Sequence, residues 1–387
     1  MKIGFLLNHY DLHQVPHVVP YAFELSRQYQ DSDVVIFGST QGELDFAQDI
    51  GSGYRNHRCV FEKLQVPFFL EVIDPLLSKW IFLRKPVALR VNADRLSQFD
   101  ALVAPEMTTL QLRKLQGFTQ VKFIRVVHGA GDNRLGGGSF DPRIGHFDLT
   151  LLPGRKYVEG LKEAGHLPHD RWAISGYPKF EAIDGLGIQK RKLFDNDKLT
   201  VLYNPHHAPH LSSWEKMGRN VLDLFYGHKQ YNLIFAPHVL LFRRSWKKGS
   251  HFPKKYKSDN GVLIDLSSRA SVDMTYLKAA DIYLGDVSSQ VYEFLAEPRP
   301  CVFLNTHEVN QHENPSYYHW NFGPVIDQVS QLEETLEKAF DSHAQYEDVQ
   351  RRAFAYTFEF GNTSVAERGA HIIAEYLKTG QVDVKWQ

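Results

Sequence analysis

The segment from Asp265 to Asn305 has the most restrictive pattern in this 387-residue chain. Short apolar runs alternate with amphipathic stretches in the order strand, helix, strand, helix, strand. Strands separated by helices pair in parallel, because a crossover helix brings the chain back to start the next strand at the same edge of the sheet. The segment therefore predicts part of a doubly wound α/β domain.

The same alternation continues over the rest of the chain and predicts two parallel sheets. The predicted strands are KIGFLLN, DVVIFGS, DALVAPE, VKFIRVVHG and FDLTLLPG in the first half, and LTVLYNPH, YNLIFAPHV, GVLIDLS, DIYLGD and PCVFLN in the second. The polar segment Ala173–Lys198 lies between the two sets and is interpreted as a linker. We therefore predict a first domain over 1–187, a second over 188–360, and a C-terminal helix in 361–387 that packs back on the first.

Composition excludes several classes of protein. A net charge of -1 argues against nucleic acid as a partner. The two cysteines, Cys59 and Cys301, are far apart in sequence and predict reduced thiols with no disulfide framework and no zinc site. The chain has no run of about 18 apolar residues, so no spanning helix is predicted. Its opening apolar run is too short for a signal peptide.

The second strand of the Asp265–Asn305 segment ends in Gly-Asp-Val-Ser-Ser, and a helix is predicted to begin at once. The first N–H groups of a helix have no partner within it and attract anions. Because ligands of open α/β sheets bind beyond the carboxyl ends of the strands, Ser288 and Ser289 are predicted to hold a diphosphate. Glu293, just over one turn further on, is predicted to reach ribose hydroxyls. The alternative is that the serines only cap the helix.

A histidine follows another strand in VVHGAGDNRLGG. At the carboxyl end of this strand, a neutral His128 side chain could remove a proton from an acceptor hydroxyl. Gly129 and the following glycines would allow a phosphate to approach the backbone closely. The alternative is a tight turn in which the histidine caps backbone groups.

More histidines follow two strands of the second half. His238 comes directly after YNLIFAP, and we predict that it binds the donor phosphate or acts as the acid for the leaving group. The alternative is a histidine whose ring is hydrogen-bonded by nearby main chain. The strand that ends at Asn204 is followed by a loop with His206, His207 and His210, where we predict donor or acceptor contacts. A metal site in this loop is the alternative, weakened by the absence of a nearby cysteine or carboxylate pair.

Two stretches suggest contact with a membrane surface. The first is a basic cluster with interleaved aromatic residues, which suits an anionic lipid leaflet, although a solvated loop has the same composition. Its basic residues are Arg243, Arg244, Lys247, Lys248, Lys254, Lys255 and Lys257. The second is the apolar stretch Pro67–Pro86, interpreted as a buried helix pair broken at Pro75, with a face on the lipid monolayer as the alternative.

Together these motifs resemble the CDP-glycerol glycerophosphotransferase family, which contains the teichoic acid primases and polymerases. The family has a His-Gly pair on its acceptor side, and VVHGAGDNRLGG is similar to it at His128-Gly129. The family also has an Asp-Tyr-Ser-Ser element before a helix that carries an acidic residue. In GDVSSQVYEF the corresponding residues are Asp286, Ser288, Ser289 and Glu293. The likeness covers 199–305 well and 122–180 moderately.

Four departures from the family pattern stand out. Val287 replaces the family's tyrosine, Glu293 replaces an aspartate, and Pro237-His238 reverses the family's His-Pro order. Where the family has an apolar strand that runs into Pro-Thr, this chain has Asn204-Pro205-His206. The resemblance implies a GT-B-like fold, in which two Rossmann-like, doubly wound domains face a cleft and C-terminal helices cross back. It also implies that the N-terminal domain serves the acceptor and the C-terminal domain binds the nucleotide donor.

The chemistry implied by the resemblance is transfer of glycerol phosphate, or a related alditol phosphate, from a CDP-activated donor to an acceptor hydroxyl, with release of CMP. His128 would be the base, and Glu293 would hold the ribose. Gly129, Asn204, His206, Asp286 and the trio His238, Ser288 and Ser289 would bind the donor. No cofactor is implied, and stimulation by Mg²⁺ stays open.

The acceptor implied is a glycan or a lipid-linked molecule of the cell envelope. The expected location is therefore the cytoplasm, peripheral to the inner face of the cell membrane. Two alternatives stay open from the residues alone. One is a GT-B glycosyltransferase that uses a UDP-, GDP- or CMP-sugar, and the other is a glycan- or nucleotide-binding protein that keeps the fold without turnover.

Overall fold

The structure is a computed structural model that describes residues 1–8, 12–77, 83–132, 140–242, 255–256, 261–310 and 314–387. The chain divides into two compact units. The first comprises Met1–His128, Ser139–Ile188 and Tyr356–Gln387, and the second comprises Gly129–Gly138 and Gln189–Ala355. Each unit contains one parallel sheet with helices, as the alternation of apolar runs predicts.

The sheet of the first unit has seven parallel strands in the order β3-β2-β1-β4-β5-β6-β7. The strands are β1 (Lys2–Leu7), β2 (Asp33–Gly38), β3 (Val60–Lys63), β4 (Ala101–Ala104), β5 (Lys122–Val126), β6 (Leu149–Leu152) and β7 (Trp172–Ile174). The central strands are continuous apolar runs because helices cover both faces of a parallel sheet. Ile3, Phe5 and Ile36 accordingly have no exposed surface.

The helices of the first unit belong to the N-terminal part and to the C-terminal tail of the chain. They are α1 (Val19–Gln28), α2 (Gln41–Gly51), α3 (Phe68–Leu77), α4 (Arg84–Val91), α5 (Ala93–Leu96), α6 (Arg155–Glu163), α7 (Lys179–Gly185) and α13 (Val365–Thr379). Short 3₁₀ segments add Leu12–His17, Met107–Lys114, Pro142–His146 and Val384–Trp386. The segment interpreted as a linker therefore includes most of β7 and all of α7.

The tail helix α13 packs closely against α1. A Cβ atom added at Gly369 would lie 2.2 Å from the Tyr21 ring, so only glycine allows the two helices to approach this closely. Further along α13, the Tyr376 hydroxyl donates to the carbonyl of Asp148 at 2.8 Å. The C-terminal tail is thus an integral part of the first unit.

The sheet of the second unit has six parallel strands in the order β10-β9-β8-β11-β12-β13. They are β8 (Leu199–Asn204), β9 (Tyr231–Phe235), β10 (Val262–Ile264), β11 (Ile282–Gly285), β12 (Cys301–Leu304) and β13 (Val325–Ile326). The helices are α8 (Arg219–Phe225), α9 (Thr275–Ala279), α10 (Gln290–Phe294), α11 (Leu332–Glu337) and α12 (Ala339–Thr357), whose last residues reach the first unit. A π-helical turn covers Trp214–Gly218, and 3₁₀ segments cover Arg269–Ser271, Pro315–Phe322 and Val329–Gln331.

The prediction of a buried helix pair broken at Pro75 is wrong. Helix α3 runs past this proline to Leu77, and Phe68 and Phe69 are 79% and 60% exposed. The two cysteines carry free thiols, as predicted. Among the described residues, no helix is both long and apolar enough to cross a bilayer.

Candidate functional site

The turn after β11 is organised by Asp286, which is buried. Its carboxylate accepts hydrogen bonds from the backbone N–H of Ser213 at 2.6 Å, of Val287 at 2.6 Å and of His206 at 2.9 Å. It also accepts from the hydroxyl of Ser213 at 2.8 Å. Burial raises the pKa of Asp286, and these hydrogen bonds oppose the rise. Asp286 therefore connects the loops after β8 and β11, with its side chain turned inward.

Asn204 and Ser288 form a second buried link at the same edge of the sheet. The Ser288 hydroxyl donates to the Asn204 side-chain oxygen at 2.5 Å, and the Asn204 amide nitrogen donates to the carbonyl of Ala236 at 2.5 Å. These contacts join the carboxyl ends of β8, β9 and β11. Asn204 and Ser288 are only 1% and 6% exposed, so their side chains stabilise the turn from the interior of the unit.

Ser289 is the more exposed serine of the turn and precedes the short helix α10. The backbone of Gly129 and Gly131 passes close to it: a Cβ added at these glycines would lie 3.8 Å from the Ser289 Oγ and 3.4 Å from its Cβ. Gly129 has φ +80°, a conformation that glycine adopts without strain. Glu293, within α10, is 4% exposed. Of the predicted diphosphate ligands in this turn, Ser289 is therefore the one that solvent reaches most easily.

Three histidine rings lie against one another, tilted, beside this turn at the carboxyl ends of β8 and β9. The ring centroids of His206 and His207 are 4.4 Å apart, and those of His207 and His238 are 4.2 Å apart. Burial, followed by the neighbouring histidines, lowers the pKa of His206 to about 3, so this ring is neutral at pH 7. The described residues contain no group of three or more His, Cys, Asp or Glu side chains that could hold a metal ion.

The tautomers of two of these rings follow from backbone contacts. Nδ1 of His206 accepts from the N–H of Ala208 at 3.0 Å, and Nδ1 of His238 accepts from the N–H of Leu240 at 3.2 Å. A neutral ring that accepts at Nδ1 carries its hydrogen on Nε2. His206 and His238 therefore present Nε2–H donors, which suit the oxygen atoms of an anion.

A buried group that the sequence analysis missed lies behind the turn. Nδ1 of His319 is 3.0 Å from the Asp132 carboxylate, and its Nε2 is 2.8 Å from the backbone oxygen of Asp286. Since both partners are acceptors, the geometry suits an imidazolium ion paired with a carboxylate. The Tyr292 hydroxyl donates to the same carboxylate at 2.7 Å. Asp132 and His319 thus fasten the glycine-containing segment to the turn that carries Ser289.

In the first unit, His128 follows the carboxyl end of β5, as the sequence predicts. The amide nitrogen of Gln14 lies 3.0 Å from Nε2 of His128 and 2.5 Å from the Glu106 carboxylate. The amide therefore donates to both groups, and a neutral His128 ring carries its hydrogen on Nδ1. Its Nε2 lone pair therefore points at the Gln14 amide, and it can accept a proton only when that hydrogen bond is broken.

Other charged and aromatic side chains surround His128 within the first unit. The Lys85 ammonium is 3.4 Å from the Glu106 carboxylate. The rings of His13 and His17 have their centroids 6.0 and 6.2 Å from that of His128. Burial, followed by the charge of Lys179, holds the pKa of His17 well below its ordinary value. Glu106 follows β4 just as His128 follows β5. The predicted strands therefore could have marked Glu106 as a candidate site residue.

Of the predicted basic cluster, only Lys255 lies within the described residues; Arg243, Arg244, Lys247, Lys248, Lys254 and Lys257 lie outside them. The Lys255 ammonium forms an ion pair with Asp223 at 2.5 Å and lies 4.7 Å from the centroid of the Tyr256 ring. Its charge is therefore partly compensated by a carboxylate of α8.

A family model matches the chain over residues 123–375, more than half of its length. Its description is CDP-glycerol:poly(glycerophosphate) glycerophosphotransferase. The chain belongs to this family. The matched residues of this glycerophosphotransferase family member include His128, the Asp132–His319 pair and the whole turn from Asp286 to Ser289. The resemblance inferred from the motifs is thereby confirmed.

Solved structures confirm the GT-B-like α/β fold. The chain is similar to the wall teichoic acid polymerase TagF, with 15% identity and a TM-score of 0.61, over 98% of this chain and 90% of the other. It is also similar to the UDP-GlcNAc 2-epimerase of Neisseria meningitidis bound to UDP-GlcNAc, with 13% identity and a TM-score of 0.63, over 98% and 100% of the two chains. A sequence search of curated proteins found no match.

Proposed function

We propose that the chain transfers glycerol phosphate, or a related alditol phosphate, from a CDP-activated donor to an acceptor hydroxyl and releases CMP. The observation that carries this proposal is the match to the glycerophosphotransferase family across both His128 and the Asp286–Ser289 turn. Each of these two places follows the carboxyl end of a parallel strand, where α/β proteins bind their ligands.

On the donor side, a diphosphate would lie against Ser289 and the three neighbouring rings of His206, His207 and His238. Ser289 offers a hydroxyl, and the Nε2–H groups of His206 and His238 offer two further donors. Hydrogen-bond donors held in place before the reaction stabilise charge that develops on a transferred phosphoryl group. Asp286, together with Asn204 and Ser288, would hold this surface in position, and Glu293 would serve the ribose.

On the acceptor side, His128 would take the proton of the attacking hydroxyl on Nε2. The acceptor oxygen forms a new bond to the phosphorus that bears glycerol, and the bond from that phosphorus to the bridging oxygen breaks. CMP leaves with the electron pair of that bond. For this step the Gln14 amide would release Nε2 of His128 and keep its hydrogen bond to Glu106.

A second candidate is a glycosyltransferase that uses a nucleotide-sugar donor. The similarity to an epimerase structure bound to UDP-GlcNAc favours it, because the same fold there accommodates a sugar nucleotide. A third is a binding protein without turnover. The first two predict a nucleotide site in the second unit and differ in the base preferred and in the product, whereas the binding protein would hold a glycan or a nucleotide.

The nucleotide preference of the protein separates these candidates. We expect CMP and CDP-glycerol to raise the melting temperature more than UDP or GDP, because a ligand that binds only the folded protein stabilises it by about 2.7 kcal/mol at 100 times its Kd. CMP release from CDP-glycerol in the presence of an envelope extract is the matching activity assay. A larger shift with UDP would favour the glycosyltransferase, and stabilisation by CMP with no CMP release would favour the binding protein.

Changing Ser289 to alanine tests the donor side. We expect CMP to bind roughly fivefold more weakly, since one hydroxyl contact is worth about 1 kcal/mol. Titration calorimetry measures the effect. Ser330→Ala, at an exposed site of the same unit, is the matched control and should leave the affinity unchanged. Equal affinities for CMP in the Ser289 variant and the wild type would remove Ser289 from the donor site.

We further propose peripheral contact with an anionic membrane, which an acceptor linked to lipid would require. The basic cluster would supply electrostatic attraction. Helix α3 supports the proposal, because its exposed side chains include Phe68, Phe69 and Val72, at 79%, 60% and 59%. Large apolar side chains exposed on one short helix suit the interfacial region of a bilayer.

Sedimentation with anionic liposomes at low salt tests this contact. Changing Arg243 and Arg244 to glutamine should weaken binding by about 2 kcal/mol, at about 1 kcal/mol for each basic residue, and the effect should vanish at high salt. The pair Arg351→Gln and Arg352→Gln, on α12, is the matched control. Wild-type protein that stays in the supernatant at low salt would contradict the membrane contact.

A further inference from the structure

A cavity of about 630 Å³ lies in the first unit, and its lining includes none of the residues proposed for the transfer site, although Met107 directly follows Glu106. It is lined by the 3₁₀ segments Met107–Lys114 and Pro142–His146 and by the residues that directly precede β6 and β7, Asp148 and Arg171. Pro142–His146, Asp148 and Arg171 precede β6 and β7 and so lie towards the amino ends of those strands, whereas Met107–Lys114 begins just after the carboxyl end of β4. The volume lies within the range of about 300–1,000 Å³ found for small-molecule sites.

The lining of this cavity is strongly cationic. Arg113, Lys114, Arg143 and Arg171 all line it, whereas Asp148 is the one carboxylate among its lining residues. Counting Asp141, which pairs with Arg143, four cations face two carboxylates. A concave surface with an excess of one charge focuses the electric field and concentrates ions of the opposite sign.

The guanidinium groups of the cavity are held in place by internal partners. Arg171 donates to the carbonyls of Phe147 at 3.3 Å and of Gly145 at 3.2 Å. Arg113 pairs with Asp148, and its guanidinium carbon lies 4.7 Å from the centroid of the Phe123 ring. A guanidinium has five N–H donors, so these contacts leave donors available to a ligand. Side chains already fixed in this way lose little entropy when they bind.

Arg143 is fixed in the same way, by two contacts with the Asp141 carboxylate. Its Nη2 lies 2.6 Å and its Nε 3.0 Å from the two oxygens. An excess of fixed guanidinium groups favours a ligand with oxygen anions in a planar or tetrahedral arrangement.

We propose that this cavity is a second anion site, which binds a phosphate ester of a small polyol. The arginines and Lys114 would contact the phosphate oxygens, and the side chains of Met107 and Leu110 would contact the carbon chain of the ligand. The ligand is either a free phosphate monoester or one unit of a phosphodiester chain. This site is additional to the donor site of the proposed function and does not depend on CMP or on turnover.

Calorimetric titration with sn-glycerol 3-phosphate and with a synthetic tri(glycerol phosphate) tests the proposal. Changing Arg113 and Arg171 together to glutamine should weaken the binding of both probes roughly tenfold or more, because charge-assisted contacts to phosphate are lost. The affinity for CMP should not change. The double variant Arg351→Gln and Arg352→Gln, with the same change of charge on an exposed helix, should bind both probes like the wild type.

Lys114→Gln is the second variant, in case the double arginine variant does not fold. Lys114 is exposed, and its replacement should weaken both probes by a few fold without affecting stability. If tri(glycerol phosphate) binds more tightly than sn-glycerol 3-phosphate at equal phosphate concentration, the ligand is a phosphodiester chain. If the two probes bind equally, the ligand is a free monoester. If neither probe binds the wild type while CMP does, or if Lys114→Gln and the arginine variant bind the probes unchanged, the cavity is not a phosphate ester site.

Discussion

Replacing His128 with alanine should lower turnover by about 10²–10⁴-fold, the usual contribution of a general base. The affinity for CMP should stay at the wild-type value, because His128 belongs to the first unit and the predicted nucleotide contacts belong to the second. Steady-state CMP release gives the turnover, and calorimetric titration gives the affinity. The two measurements together distinguish loss of a base from loss of a donor contact.

His169→Ala is the matched control for His128. His169 is an exposed histidine of the same unit, with 93% of its side chain accessible, and its replacement should leave both quantities unchanged. If His128→Ala binds CMP much more weakly than the wild type, His128 is a donor ligand or a structural residue. If turnover survives the replacement, another group takes the acceptor proton.

Replacing Asp132 with alanine should lower the free energy of unfolding of the second unit by about 3 kcal/mol or more, because the buried donors of His319 and Tyr292 lose their acceptor at about 1–3 kcal/mol each. Asp132 and His319 are only 6% and 2% exposed, so water cannot take the place of the carboxylate without rearrangement. Urea denaturation followed by tryptophan fluorescence measures the change, since the Trp320 indole donates to the Asp286 carbonyl close to His319.

Tyr292→Phe is the conservative comparison for Asp132. It removes one hydroxyl from the same carboxylate and leaves the ion pair in place, so the expected loss is about 1 kcal/mol. The ratio of the two losses is the informative quantity. If both variants lose the same free energy of unfolding, the Asp132–His319 contact contributes no more to stability than the Tyr292 hydrogen bond does.

Most of the fold could be predicted because its central strands are buried on both faces. The run DVVIFGS predicts β2 to within one residue, and LTVLYNPH predicts β8 to within two, because β-branched and apolar residues follow one another without a polar break. The strands that were missed lack this signal. Strand β3 is VFEK, exposed at both ends, and β7 has three residues inside a polar segment. Their pairing is specified by neighbouring strands that are distant in sequence.

The candidate site was predictable only where the chemistry follows a strand directly. His128, His238 and Ser289 could be proposed from the sequence because parallel strands place their carboxyl ends at one edge of each sheet. The pairing of Asp132 with His319 spans 187 residues, and that of Gln14 with His128 spans 114. No local sequence pattern therefore predicts either pairing. For the same reason the sequence could not show that Ser288 bonds inward to Asn204, 84 residues away.

The packing of α13 on α1 also affects the order in which the protein folds during synthesis. The ribosome completes the first 188 residues well before it reaches Tyr356, where the chain returns to the first unit. At about 5–20 residues per second, the 168 residues between these points take roughly 10–30 s to add. During that interval α1 lacks the helix that covers it. The second unit is complete at Ala355, before α13 has been made, so nascent chains should expose the apolar side of α1 to chaperones until α13 leaves the ribosome.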